Sequence, residues 1–168
     1  MESKLLVSAS GKLTQSQDLG NAVATALKSL NVSLVDGVAA GQADLLFADT
    51  RTLGASADED LDLAGTMLQD PLGADLSFLR VKALLVVAAP ANVNNVVVGN
   101  SATATWIPLL GATGTVILRP GAGFAAFAGA ADATGYAVVA TTGDLLRVTN
   151  SGAGSTVSYD ILVIGASA

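Results

Sequence analysis

Apolar side chains recur along this chain in short runs, each about the length of a strand and each bounded by Gly, Ser, Thr, Asn or Asp. Runs of that length at such spacing predict an all-β domain, a sandwich or a barrel. The strands read from the pattern are Ala43 to Asp49, Leu76 to Ala88, Val93 to Gly99, Thr115 to Arg119, Gly135 to Thr141, Asp144 to Asn150 and Thr156 to Gly165. Val, Ile and Leu dominate them, as a pleated, half-buried surface prefers. In the last run Val157, Tyr159, Ile161 and Val163 alternate with Ser158, Asp160, Leu162 and Ile164. One face is apolar throughout; the other turns from polar to apolar along its length. That change predicts a strand whose far end is covered on both sides.

The breaks between runs carry their own geometry. Ser151-Gly152-Ala153-Gly154-Ser155 stands between two of the clearest strands. A five-residue loop with two Gly there predicts a β-hairpin. Arg119-Pro120-Gly121-Ala122-Gly123 ends one strand and starts another near Phe124, because Pro removes a ladder donor and Gly permits positive φ. Pro71 with Gly73, and Pro90 before Asn92, mark turns in the same way.

The N-terminal third reads less cleanly. Met1 to Gly11 suits a strand, and a polar stretch from Thr14 to Asp18 follows. Leu19, Val23, Leu27 and Leu30 then fall at near-helical spacing, with Asp18 as a possible N-cap. Val32-Ser33-Leu34-Val35 alternates like a strand instead, and Gly20 and Asn21 weaken a helix start. The strand reading is preferred for Val23 to Val35. Residues 1–41 are therefore expected to form an arm or hairpin, ending in a linker from Gly37 to Gly41, and residues 42–168 a β-sandwich domain. The arm either reaches a neighbouring subunit or folds back on its own sandwich.

Composition sharpens this. Of 168 residues 51% are hydrophobic, yet only 4% are aromatic and 13% charged. Small apolar side chains with few charges suit a subunit that hides surface against copies of itself. The absence of Cys leaves no disulfide framework. The first residues lack a basic segment followed by a long apolar core, so no secretory signal is expected. The longest apolar runs, Ala83 to Ala91 and Gly121 to Ala131, are short of the roughly 18 residues that span a bilayer, so no membrane partner is expected. Net charge is -6, and the eight basic residues are scattered singly. Nucleic-acid binding needs clustered Lys and Arg and is disfavoured.

Catalytic chemistry is thinly provided for. There is no His, which removes the commonest general base, Ser-His-Asp triads and nearly all zinc sites. Neither dinucleotide-binding nor phosphate-loop motifs follow a strand. Asp58-Glu59-Asp60-Leu61-Asp62 is the one acidic run. On a strand Asp58, Asp60 and Asp62 share a face, which suits a solvated surface, salt bridges or Ca²⁺, with Leu61 and Leu63 turned inward. Leu63 stands where an EF-hand loop needs Gly, so no metal is assigned. Arg51 and Arg119 abut turns, and Arg80 and Lys82 share a strand face; any of them could pair with the acids within or between subunits. Trp106 is a candidate sugar platform, but fits a core or interface anchor better. The candidate interface residues are thus Asp58, Asp60, Asp62, Arg80, Lys82 and Trp106. No catalytic residue, metal or cofactor is expected.

Several stretches together resemble a known family. They are residues 42–53 (QADLLFADTRTL), 59–65 (EDLDLAG), 92–99 (NVNNVVVG), Arg119-Pro120-Gly121, and Gly143-Asp144-Leu145-Leu146 with Asn150-Ser151-Gly152-Ala153-Gly154. They are similar to small structural proteins encoded with the head and tail genes of tailed bacteriophages and prophages. The resemblance runs from Gln42 to the C-terminus, and more loosely over the N-terminal third. It implies a virion component, foremost a capsid decoration (cement) or head-surface protein, and it carries no catalytic residue. The expected fold is a β-sandwich of jelly-roll type with an N-terminal strand-rich extension, assembled as a homo-oligomer, a trimer, on the major capsid protein or other virion proteins. Alternatives are a carbohydrate- or receptor-binding module and a tail or baseplate component.

Overall fold

The computed structural model describes every residue from Met1 to Ala168. Its regular elements are all strands: β1 (Glu2–Gln17), β2 (Gly20–Val35), β3 (Leu45–Leu53), β4 (Asp58–Asp62), β5 (Arg80–Ala88), β6 (Val96–Gly99), β7 (Thr115–Leu118), β8 (Gly123–Phe127), β9 (Tyr136–Ala137), β10 (Leu145–Asn150) and β11 (Val157–Ala166). β1 and β2 pair only with each other. The rest form a four-stranded sheet, β4-β10-β6-β7, and a five-stranded sheet, β3-β11-β5-β8, in which β9 extends the edge of β5.

The pairing of the sandwich is nested. β6 pairs antiparallel with β7, β5 with β8, β4 with β10 and β3 with β11. The chain thus runs as one long folded-over hairpin whose tip lies at the β6–β7 connection. Winding it up deals successive segments to opposite sheets, and brings β10 beside β6 and β11 beside β5. The two sheets enclose a single core. Phe47, Leu53, Val81, Leu84, Val86, Tyr159, Ile161 and Val163 come from one side; Leu61, Val96, Val98, Leu118, Leu146 and Val148 come from the other. Period-two alternation supplies all but Val81, which a register shift in β5 opposite Ile164 and Gly165 sets three residues from Leu84.

The strand positions read from the sequence are found with shifted ends, and the Gly135 to Thr141 run contracts to Tyr136–Ala137. The expected hairpin across Ser151 to Ser155 is not one. β10 is hydrogen-bonded to β4 and β6, and β11 to β3 and β5, so the glycine loop carries the chain from one sheet to the other. Such a crossing spans about 10 Å between packed sheets. The buried amide of Asn150 holds the loop: its Nδ2 donates to Gly54 O and Ser155 O, both at 2.8 Å, and its Oδ1 accepts from the Gly152 N–H at 3.2 Å. Asn94 reinforces it, donating to Asn150 Oδ1, Gly152 O and Ser155 O.

β1 and β2 form a hairpin with sixteen residues in each strand, registered without a slip from Glu2↔Val35 to Gln17↔Gly20. The possible helix is absent, and the polar stretch at 14–17 continues the strand rather than ending it. Asp18-Leu19 is a two-residue turn, and Gly20 takes a φ of 136° that a side chain would resist. The base of the hairpin is fixed to the sandwich. Val35 N donates to Gly41 O at 3.0 Å and Ala43 N to Val35 O at 2.9 Å, closing the linker into a tight loop.

Candidate functional site

Because cross-strand partners share a face, the register sorts the hairpin residues into two sets. One face carries Leu5, Val7, Ala9, Gly11 and Leu13 from β1, opposite Val32, Leu30, Lys28, Ala26 and Ala24 from β2. The other alternates Lys4, Ser8, Ser10, Lys12, Thr14 and Ser16 with Ser33, Ser29, Thr25 and Asn21, interrupted by Leu6, Leu27 and Val23. The first is a face built for burial. Only its base is buried: Val32 and Leu34, 4% and 2% exposed, pack with Ala43, Ala83 and Ile164 on the outer side of the five-stranded sheet. This contact covers the apolar end of β11 foreseen from its alternation. Farther out Val7 and Leu30 are about half exposed, and Leu13 is 71% exposed.

The sheet surface beside the arm is graded. Nearest the arm lie Leu46, Ala83, Phe127 and Ile164; the next row is Ala48, Leu85, Ala125 and Leu162; beyond it stand Thr50 and Asp160. The middle row is open to solvent in part, with Leu85 37% exposed. Between it and Ser3 to Val7 of β1 runs an open groove of about 370 Å³, walled by Leu5, Leu46, Leu85, Ala125, Phe127 and Leu162. A shallower depression on the same face is lined by Ala48, Asp49, Thr50, Leu85, Asp160 and Leu162. The groove is aliphatic in the main, while the depression mixes aliphatic side chains with Asp49, Thr50 and Asp160.

The acidic run is strand β4, and its alternation is as read: Leu61 and Leu63 are buried, while Asp58, Asp60 and Asp62 face away from the core. The three carboxylates do not converge. Asp60 receives Arg147 side-on, Nε to Oδ1 at 2.9 Å and Nη2 to Oδ2 at 2.6 Å, with Asp58 at 3.3 Å from the same guanidinium. Asp62 instead accepts from the backbone N–H groups of Ala64 and Gly65. No group of His, Cys, Asp or Glu is arranged to hold a metal ion. Arg147 holds the Asp60 carboxyl below the usual carboxylate range.

Of the other candidates, Arg80 and Lys82 do reach the same place, the 132–133 loop. Arg80 Nη1 donates to Ala133 O at 2.8 Å, and Lys82 Nζ to Asp132 O and Ala133 O, both at 2.7 Å. Lys82 is 2% exposed, and burial lowers its pKa. Neither pairs with the acids of β4. Trp106 is 3% exposed; its Nε1 donates to Ala137 O at 2.9 Å and its ring meets Tyr136 edge to face at 6.2 Å. Lys82 and Trp106 therefore spend their contacts inside the chain, and the indole offers no face to a sugar.

Arg51 does pair with an acid of the 58–62 run within the chain, as the sequence allowed, and the network extends to a tyrosine that carried no such signal. Glu59, on the inward face of β4, accepts from Arg51 Nε at 2.7 Å and from Arg51 Nη2 through Oε2. Its Oε1 accepts from the Tyr159 hydroxyl at 2.7 Å. Arg51 also reaches Asp49 at 2.9 Å. β3 and β4 are edge strands of opposite sheets, so this network closes the open side of the sandwich. Burial, with the hydrogen bond to Glu59, raises the Tyr159 hydroxyl far above its ordinary range, and Glu59 raises Arg51. The phenol stays neutral and the guanidinium charged, which is what a fixed strut requires.

No protein-family model matches the sequence, and comparison with curated proteins and with solved structures likewise finds no match.

Proposed function

We propose that this chain is a structural subunit of a tailed-phage virion, decorating or cementing the capsid through contacts with copies of itself and with the major capsid protein or other virion proteins. The observation that carries the reading is the arm: a long, firmly rooted hairpin with an apolar face that its own sandwich covers only at the base. Such a surface is built to meet another protein. The resemblance of residues 42–53, 59–65 and 92–99 to small phage head and tail proteins gives the reading its context. The nested pairing, with β3 beside β11 and β4 beside β10, supports a jelly roll, an architecture common in capsid proteins.

In this reading the work is mechanical. Repeated weak contacts at symmetry-related sites add up to large avidity, and a trimer is the proposed assembly. The subunit is made in the host cytoplasm and ends on the virion surface. Its side chains act as struts: Arg51, Arg147, Lys82 and Asn150 are all engaged within the sandwich. Particles lacking the protein are expected to burst at lower temperature and under milder osmotic shock than complete ones. Unchanged particle stability would reject the cement role, and cryo-EM density on the tail rather than the shell would move the subunit to the tail or baseplate.

A further inference from the structure

We propose that the apolar face of the arm docks on a second copy of this chain, lying in the groove between that copy's β1 and the outer surface of its five-stranded sheet. This rests on the reading of the protein as a self-assembling subunit and names the surfaces that assemble. Three observations converge on it.

The first is an unmet need for cover. A two-stranded hairpin alone in water is marginally stable and requires packing on its apolar face or added strands. Beyond the anchored Leu5↔Val32 pair, about twelve residues of each strand run on with Val7, Leu13 and Leu30 exposed. Both outer edges also present unpaired backbone groups, a template for another strand. The chain's own arm does not lie down on the sheet, because the closed linker fixes its base and leaves the groove beside β1 open.

The second is charge. Between Ser3 and Gln17 and between Gly20 and Leu34 the arm carries Lys4, Lys12 and Lys28 and no carboxylate. None of the three has an ion-pair partner, and on the sheet face Asp160 is exposed and has no cation either. Their spacing agrees. The arm face reads Val32, Leu30, Lys28 at two-residue steps along β2; the sheet face reads Ile164, Leu162, Asp160 at two-residue steps along β11. A neighbour's arm placed with Leu30 over Leu162 brings Lys28 to Asp160.

The third is area. At about 3.4 Å per residue the free part of the arm is roughly 40 Å long, and two strands make it roughly 10 Å wide. One arm then covers on the order of 400 Å², so the two surfaces together lose about 800 Å². A chain that gives one arm and receives another takes part in about 1,600 Å² of contact, which is one standard interface in a reciprocal dimer and two of about 800 Å² in a trimer.

The test uses the purified full chain and light scattering. The wild-type protein is expected at a multiple of 16.6 kDa, Leu30→Asp at 16.6 kDa, and Leu27→Asp, on the opposite face of the arm, at the wild-type mass. Leu30 is about half exposed in the subunit, so at concentrations too low for association its variant should melt like the wild type, and the loss of mass is then not loss of folding. Because the chain has no cysteine, mixing a tagged Leu30→Cys protein with an untagged Leu162→Cys protein permits only intermolecular disulfides. A mixed cross-link is expected, and none when Leu27→Cys replaces Leu30→Cys. A wild-type mass of 16.6 kDa, an oligomer that Leu30→Asp leaves intact, or cross-links between arms only would overturn the proposal. Each of those results is obtained without particles, so the virion role stands or falls separately on the shock experiment.

Discussion

Arm and sandwich are written in the same code, alternating apolar and polar positions, and they end in opposite circumstances. In the sandwich each inward face meets another: Val157, Tyr159, Ile161 and Val163 of β11 are all buried against the four-stranded sheet. In the arm the same alternation yields a face of similar character, Leu5 to Leu13 opposite Val32 to Ala24, that is covered only over its first rows. The polar groups differ as sharply. The sandwich engages Arg51, Arg147 and Lys82 in ion pairs or hydrogen bonds, while the three arm lysines pair with nothing. Alternation states that a face is to be covered; it does not state by what. Where the chain supplies the cover, the pattern becomes a core, and where it does not, an exposed strip remains.

The widest gap between the two regions is expected in truncation. Phe78→Ala empties a fully buried site beside β5 and β11 and should cost about 3–5 kcal/mol in denaturant unfolding. Leu13→Ala, on the exposed part of the arm, should stay within about 0.5 kcal/mol on the purified subunit at concentrations too low for association. Equal effects would mean that the arm is covered within its own chain.

A smaller effect is expected at the loop that joins the sheets. Asn150→Ala removes one of the two donors to each of the Gly54 and Ser155 carbonyls, which keep Ala57 N–H and Asn94 Nδ2, and leaves the Gly152 N–H without its acceptor. It should lower stability by about 1–3 kcal/mol. Amide exchange should accelerate at Ser56 and Gly152, with the β1–β2 amides unaffected.

The smallest effect concerns acid. The Asp60 carboxyl is held low by Arg147, and Asp132 is held low by hydrogen bonds from Thr134 and Gly135. A carboxylate lowered in the folded state contributes stability that is complete above its unfolded value, about 4, and is lost as pH falls through the folded value. Tm should therefore hold above about pH 5 and fall below about pH 4, and Asp60→Asn should flatten part of that fall. Lys4→Gln should leave the profile unchanged, since that ammonium has no partner whose protonation could matter.

Much of this architecture was legible in the sequence. The strands over 43–49, 115–119, 144–150 and 156–165, the turn at Pro120-Gly121, the inward Leu61 and Leu63 and the doubly covered end of β11 all follow from local alternation and turn chemistry. What local pattern cannot specify is pairing. A glycine loop between two alternating runs looks the same whether the strands join one sheet or two, and the loop after Asn150 crosses between sheets because both edges of β10 and of β11 are taken by other strands. The pairing of Arg51 with the acidic run was open to sequence reading, but the Tyr159 end of the strut was hidden for a similar reason, since Glu59 and Tyr159 are 100 residues apart. Polar positions at 14–17 concealed the tip of the arm, because alternation cannot be read where both faces of a strand are polar.

The nested pairing also sets an order of events. Asp18-Leu19 closes the arm between neighbours in sequence, a step of about 1–10 μs for hairpins. β3, by contrast, must wait for β11, since Leu53 pairs with Val157, and non-local sandwiches fold in about milliseconds to seconds. In a newly made chain the arm accordingly closes and reopens many times before the body that anchors it is finished, since a lone hairpin is only marginally stable. Registry between strands so distant in sequence, not hairpin closure, then determines when a subunit becomes ready to assemble.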